Sequence, residues 1–160
     1  MTDNTISQMR EKLQHTQAEL LQLLDACDFA GLHQPRDEEK WTIAIILAHL
    51  AEARAYFTKQ AEDTPRNPGM SVGRMLDNEQ RVDAIIRAQQ SDLEPGQLRW
   101  ELQETYEAVM RLFDSLSEAD LQIPCNHVRL GPMTFGEFLQ RTFVDHDQAH
   151  VEQARAFLHS

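Results

Sequence analysis

The sequence predicts an all-α protein folded as a four-helix bundle, with a long crossover connection between its second and third helices. Three observations carry that prediction. Leu, Ala, Gln and Glu are abundant while β-branched residues are sparse, and the 160 residues include only six glycines and six prolines. That composition favours helix over strand. Four long stretches repeat apolar side chains at three- and four-residue steps, the spacing of one helix face. About thirty residues separate the second stretch from the third, enough for a crossover between parallel neighbours.

The first helix is expected from about Thr5 to Cys27, with Ile6, Met9, Leu13, Thr16, Leu20 and Leu24 on its inner face and Arg10, Glu11, Lys12 and Glu19 largely opposite. Gly31 and Pro35 mark a connection after it. Thr42 is a credible N-cap for the second helix, and Trp41 just before it is placed to pack back on the first turns. Ile45, Ile46, His49, Ala53, Tyr56 and Phe57 form that helix's stripe. The segment 63–75, with two prolines and two glycines, reads as a long loop, and Asp77 to Gln90 as a short helix. Arg74, Arg81 and Arg87 are expected on a solvated face.

Pro95 suits the first turn of the next long helix, which runs to about Ser115 through Leu98, Leu102, Thr105, Val109 and Leu112. Ser117 caps a short acidic turn. Ile123 to Met133 is the one place for extended structure, either a small hairpin or a β-like excursion, with Gly131 and Pro132 closing it. Thr134 and Glu137 make a T-x-x-E capping box opening the last helix, read as one amphipathic element over Phe135–Leu158.

Length and composition place limits on function. A chain of 18.4 kDa with 41% hydrophobic residues is long enough and apolar enough for a full core, and reads as one domain over 1–160. A formal charge of −11 argues against a nucleic-acid backbone or an anionic membrane surface as partner. Neither a signal peptide nor an 18-residue apolar run is seen, so a soluble, cytoplasmic protein is expected. Cys27 and Cys125 form no C-x-x-C pair and read as packing residues.

The chemistry lies in three histidines on inward stripes. His146 and His150 are four apart, hence over one another on one helix face. Alone, that pair is a weak motif. His49, taken alone, reads as a buried histidine hydrogen-bonded to a neighbour. Together the three become moderately specific for a divalent metal, because three imidazole nitrogens leave a coordination position open. Glu52, Asp145, Asp147 and Gln153 are candidates to orient imidazole N–H groups. Glu52, three residues after His49, is the carboxylate of first interest. Asp147 reads better as part of a solvated face. His15, His33, His127 and His159 are expected to be non-ligands.

The segments WTIAIILAHL and HDQAHVEQ resemble the two histidine motifs of the DinB-like superfamily of four-helix-bundle metalloproteins. In that family a Trp-Ser/Thr start precedes a helix bearing one ligand, and a terminal H-x-x-x-H, often with Gln three residues on, bears two. The resemblance spans nearly the whole chain and implies metal ligands at His49, His146 and His150, with Gln153 at the matching Gln position. It implies a DinB-like bundle, commonly a homodimer, with a divalent metal at one end of the core: Zn or Ni first, Fe or Mn as alternatives.

The resemblance also implies activity on a small molecule. Characterised relatives are transferases and isomerases using low-molecular-weight thiols such as bacillithiol or mycothiol, so a thiol S-transferase-type reaction on a small electrophile is the leading expectation. The alternatives are a hydrolase using metal-bound hydroxide and a non-catalytic dimeric metal-binding module.

Overall fold

The computed structural model describes residues 5–159. Its elements are α1 (Ile6–Ala26), α2 (Phe29–His33), α3 (Ile43–Asp63), β1 (Ser71–Val72), α4 (Glu79–Gln90), α5 (Pro95–Asp114), β2 (Pro124–His127), β3 (Gly131–Thr134), α6 (Phe135–Leu139) and α7 (His146–Leu158). Two short 3₁₀ turns, Thr64–Arg66 and Glu118–Gln122, complete the path. The bundle consists of α1, α3, α5 and the continuous helix from α6 to α7.

Local chemistry sets the helix ends. The Thr5 and Gln8 side chains cap α1 reciprocally, and Thr42 Oγ1 accepts from Ile45 N at 3.0 Å to start α3. Asn78 caps α4 by accepting from Arg81 N, and Pro95 fills the first position of α5. Only half of the box expected at Thr134 forms: its hydroxyl accepts from Glu137 N at 3.1 Å, with no return bond from Glu137. The connection after α1 also contains the five-residue α2, capped by Asp28 on Gly31 N, which the break in periodicity concealed.

Two apolar layers fill the bundle. One joins Met9 and Leu13 of α1, Ala61 of α3, Val109 and Phe113 of α5, and Phe135, Phe138 and Phe143 of the last helix. The other joins Leu20 and Leu24, Ile43, Ile46, Leu47 and Leu50, Leu98 and Leu102, and Val151 and Ala154. The late part of α3 thus lies with the late part of α5, and early with early, so these two run parallel. α1 and the last helix enter the layers in the opposite order and run against them. The segment between α3 and α5 is therefore a parallel crossover.

That crossover is tied down. β1 pairs parallel with β2 (Ser71 to Asn126, Val72 to His127), and β2 pairs antiparallel with β3. The hairpin β2–β3 is thus extended by part of the 63–75 loop into a three-stranded sheet with β2 at its centre. Gly73, at φ 82°, presses against the His127 ring so closely that a Cβ there would lie 2.4 Å from Nε2. Gln60 clamps Gly73 from α3, accepting from its N–H at 2.7 Å and donating to its carbonyl at 3.1 Å.

A polar layer lies between the two apolar ones. Arg54, on α3, donates through Nε to Asp147 Oδ2 at 3.0 Å and through Nη1 to the Leu102 carbonyl at 3.1 Å. Its Nη2 lies 2.9 Å from the same Asp147 oxygen, and both side chains are at most 2% exposed. Asp147 is therefore a buried ion-pair partner. It does not lie on the expected solvated face, because the π-helical turn just before it moves the inward register onto its position.

The last helix is not α throughout. Residues Gln140–Asp145 adopt a π-helical turn between α6 and α7. A π segment inserts about one extra residue relative to α-helical register. The inward stripe continues through Phe143 to Asp147, Val151 and Ala154, while His146 and His150 move to its edge and are half-buried.

Candidate metal centre

Two helices bring His49, His146 and His150 together. α3 delivers His49, 7% exposed, from its buried face, and α7 delivers the other two from successive turns. One ligand-capable atom from each lies within 4.8 Å of the other two. Among the described residues, no other set of three or more His, Cys, Asp or Glu groups converges in this way. The π turn matters here because it brings the histidine pair to the margin of the core, where it stays open on one side.

The hydrogen bonds around these rings suit a cation. His150 Nδ1 donates to Gln153 Oε1 at 2.9 Å, leaving Nε2 with a lone pair. That Nε2 faces His146 Nε2 at 3.2 Å. On the far side of His146, Nδ1 lies 3.9 Å from Asp147 Oδ1, a buried carboxylate oxygen with no hydrogen-bond partner. The lone pair of His150 Nε2 is thus directed at the space it shares with His146 Nε2. Tetrahedral ligands at the usual zinc–nitrogen distance of about 2.0–2.1 Å lie roughly 3.3 Å apart, close to the observed spacing. His49 Nδ1 is also buried without a partner. The donor set therefore fits a divalent cation bound by neutral imidazoles.

Burial and neighbouring charge keep His49 and His150 neutral. Burial, followed by the neighbouring imidazoles, lowers the pKa of His49 to about 3. Burial and then His146 lower that of His150 to about 4, against an opposing contribution from Gln153. Trp41 lies edge-on to His49 with centroids 5.8 Å apart, covering it from the connection before α3.

The carboxylates near the site are committed elsewhere. Glu52 takes a two-pronged ion pair from Arg74, at 2.7 and 2.6 Å, and makes no hydrogen bond to an imidazole. Arg74, expected on a solvated face, is only 7% exposed and stacks over Tyr56 and Phe57 at 4.5 and 5.1 Å. A lone basic residue in a Gly/Pro-rich loop gives no hint of this; the partner is twenty-two positions away. Asp145 is exposed and accepts from Gln140 at 2.8 Å. Of the four candidates for orienting an imidazole, Gln153 bonds His150 directly and Asp147 approaches His146.

The remaining histidines lie apart from the cluster. His15 is exposed beside Glu19, and His33 contacts the Leu93 carbonyl at 2.8 Å. His127 is buried in β2, where its Nδ1 accepts from the N–H groups of Arg129 and Leu130. Cys27 is partly buried and Cys125 buried; burial raises the pKa of both thiols.

The sequence profile of the DinB superfamily matches residues 12–154. The chain belongs to the DinB superfamily. None of the curated protein sequences matches it. Among solved structures, this DinB-superfamily chain is similar to YfiT from Bacillus subtilis, described as "a probable metal-dependent hydrolase with an unusual four-helix bundle topology". The identity is 15%, the TM-score 0.79, and 95% of this chain and 85% of that one are covered. It is also similar to the mycothiol-dependent maleylpyruvate isomerase, at 16% identity and a TM-score of 0.75, covering 94% of this chain but only 62% of that one. A Streptococcus pneumoniae protein shares the fold at 17% identity and a TM-score of 0.71, with 98% and 92% covered. Identities this low establish the fold and leave the chemistry to the site.

Proposed function

We propose that this DinB-superfamily chain is a metal-dependent enzyme that promotes attack of a small thiol on a small electrophile. The observation that carries the reading is the convergence of three imidazole nitrogens within 4.8 Å. His49, His146 and His150 would hold a divalent cation, with Zn or Ni preferred and Fe or Mn as alternatives. When bound, such a cation supplies Lewis acidity that lowers the pKa of a thiol from its usual value of about 8.5. Gln153 fixes the tautomer of His150 by its hydrogen bond, while the Asp147 carboxylate, held by Arg54, stands 3.9 Å from His146 Nδ1, where it would orient that ring by charge. The half-buried edge of His146 and His150 leaves the approach for substrate, while Trp41 and the α3 core exclude water behind His49.

The commitment of the nearby carboxylates favours a thiol over water as nucleophile. Glu52 and Asp147 are each paired with a buried arginine, so neither is free as a general base. A thiol needs less help to ionise than water does. Hydrolysis, the reaction named in the description of YfiT, is the second reading and predicts turnover without added thiol. The third is a non-catalytic dimeric module using the same three ligands.

The test is metal analysis of protein purified without chelator or histidine tag, followed by conjugation and isomerisation assays with and without thiol. One bound ion per chain, thiol-dependent turnover, and loss of both in His150→Ala are expected. Turnover surviving His150→Ala would refute the metal-centred reading; turnover indifferent to thiol would replace it with hydrolysis.

A further inference from the structure

His127, at the end of β2, is buried and takes no part in the three-histidine cluster. Its Nδ1 accepts two backbone hydrogen bonds from the turn that follows, from Arg129 N at 3.1 Å and from Leu130 N at 3.3 Å. A ring nitrogen that accepts carries no proton, so the neutral ring holds its hydrogen on Nε2, the edge that lies against Gly73. One imidazole therefore stands between two connections. One is the tip of the β2–β3 hairpin, residues 128–130, and the other is the strap 73–76 that leads from β1 towards α4.

Little else fastens the tip. Val128, Arg129 and Leu130 are all exposed, so apolar burial contributes little there. Besides the two bonds to the ring, Val128 N donates to the Val72 carbonyl at 2.9 Å and Arg129 Nε to the Arg74 carbonyl at 3.2 Å. The strap has further anchors, the Gln60 clamp on Gly73 and the ion pair of Arg74 with Glu52. Arg129 from the tip and Arg141 from the last helix are the charges that act on the ring, and with burial as the leading cause they hold its pKa below the ordinary histidine value. β1 and β3 contain no titratable side chain. From α6 the Phe138 ring faces His127, while the one charged residue of that helix, Glu137, bears on Cys125. Among the described residues, no carboxylate lies within ion-pairing distance of His127.

We propose that His127 is a proton-operated latch: its neutral ring fastens the hairpin tip beside the strap, and its protonation releases the tip. A proton added to this ring can go only to Nδ1, where it meets the N–H groups of Arg129 and Leu130. Three hydrogens cannot share one nitrogen's lone pair, so both backbone bonds break and the exposed tip turns its N–H groups to water. The fastened tip favours the neutral ring, whereas the released tip leaves an ordinary histidine. The latch is therefore shut above about pH 6.5 and opens progressively as the pH falls below it. Release also withdraws Arg129 from the carbonyl of Arg74, the residue paired with Glu52. The device is independent of any metal.

Amide hydrogen exchange of the full chain, followed by NMR at about pH 7.5 and about pH 5 and corrected for the intrinsic pH dependence of exchange, tests the latch. About 1.5 pH units below 6.5, the open population can rise by at most about thirty-fold, so protection at Val128, Arg129 and Leu130 should fall by roughly five- to thirty-fold. Gly69 N and Phe135 N, bonded to the Pro124 and Ile123 carbonyls at the far end of β2, should keep their protection. In His127→Asn a side-chain oxygen takes the place of Nδ1 as acceptor and does not titrate, so the tip should be held equally at both pH values. Tip protection that is independent of pH, a loss shared equally by Gly69 and Phe135, or the same pH-dependent loss in His127→Asn overturns the proposal. Should His127→Asn not fold, the ring nitrogen resonances of the unsubstituted protein decide. Protonation of Nδ1 must coincide with the loss of tip protection, and a separation of more than about one pH unit overturns the latch.

Discussion

Replacing Asp147 with Asn tests the polar layer and the proposed metal centre together. Asp147 is 1% exposed, and both Nε and Nη2 of Arg54 lie within 3.0 Å of its Oδ2. Asn keeps the volume and removes the charge, leaving Arg54 buried without a counter-ion. Breaking a buried pair from one side costs about 3–5 kcal/mol. For a chain of this length each kcal/mol lowers Tm by roughly 2–4 °C, so a fall of about 6–20 °C is expected by calorimetry. The double variant Arg54→Met with Asp147→Leu removes both charges and should recover most of that loss, because replacing a whole buried pair by apolar groups is often neutral or better. The Leu102 carbonyl that Arg54 serves still accepts from Gln17 and Thr105, each at 3.3 Å. Zinc affinity separates the second role. If Asp147 holds the proton of His146 at Nδ1, both variants should lose roughly 10–100-fold in affinity by chelator competition, even where stability has recovered. A stability loss under about 1 kcal/mol for Asp147→Asn would mean that the pair is hydrated. Unchanged zinc affinity in both variants would remove Asp147 from the centre.

Two further outcomes follow from the same geometry. The unfolded chain protonates its histidines near pH 6.5, whereas the folded protein protonates His49 and His150 only near 3 and 4. Stability of the metal-free protein should therefore be complete above pH 6.5 and fall as the pH drops toward 4, by at most about 1.4 kcal/mol per pH unit for each group. Urea midpoints at two pH values on either side of 6 check this, and a flat profile would contradict buried neutral rings. Gly73→Ala combines a left-handed backbone with a Cβ 2.4 Å from the His127 ring, and should destabilise by about 2–4 kcal/mol. Adding His127→Ala should relieve the steric part alone, so a double variant as unstable as Gly73→Ala would show that backbone strain dominates.

Much of the fold was legible because its causes are local. Apolar residues at three- and four-residue steps define the long helices whatever they pack against, and Thr5, Thr42, Asn78 and Pro95 act within a turn of their own positions. The segments WTIAIILAHL and HDQAHVEQ likewise carried the family resemblance in short windows, and the three histidines they contain meet in space. Features that depend on distant partners were hidden. Arg74 looks like a loop cation until Glu52 is beside it, and Asp147 like a solvated acid until Arg54 reaches it from another helix.

The sequence by itself determined that this chain is a helical bundle of the DinB superfamily and which three imidazoles come together. Tertiary structure decided how they are presented. The π turn over Gln140–Asp145 moves the inward register by about one residue, so that Asp147 occupies the core position and His146 and His150 stand at its open edge. A change of hydrogen-bond register leaves no mark in side-chain periodicity until the neighbouring helices choose which face to bury. The pairing of Glu52 with Arg74 and of Asp147 with Arg54 has the same origin: charges sort by distance in three dimensions, and sequence separation does not report that distance.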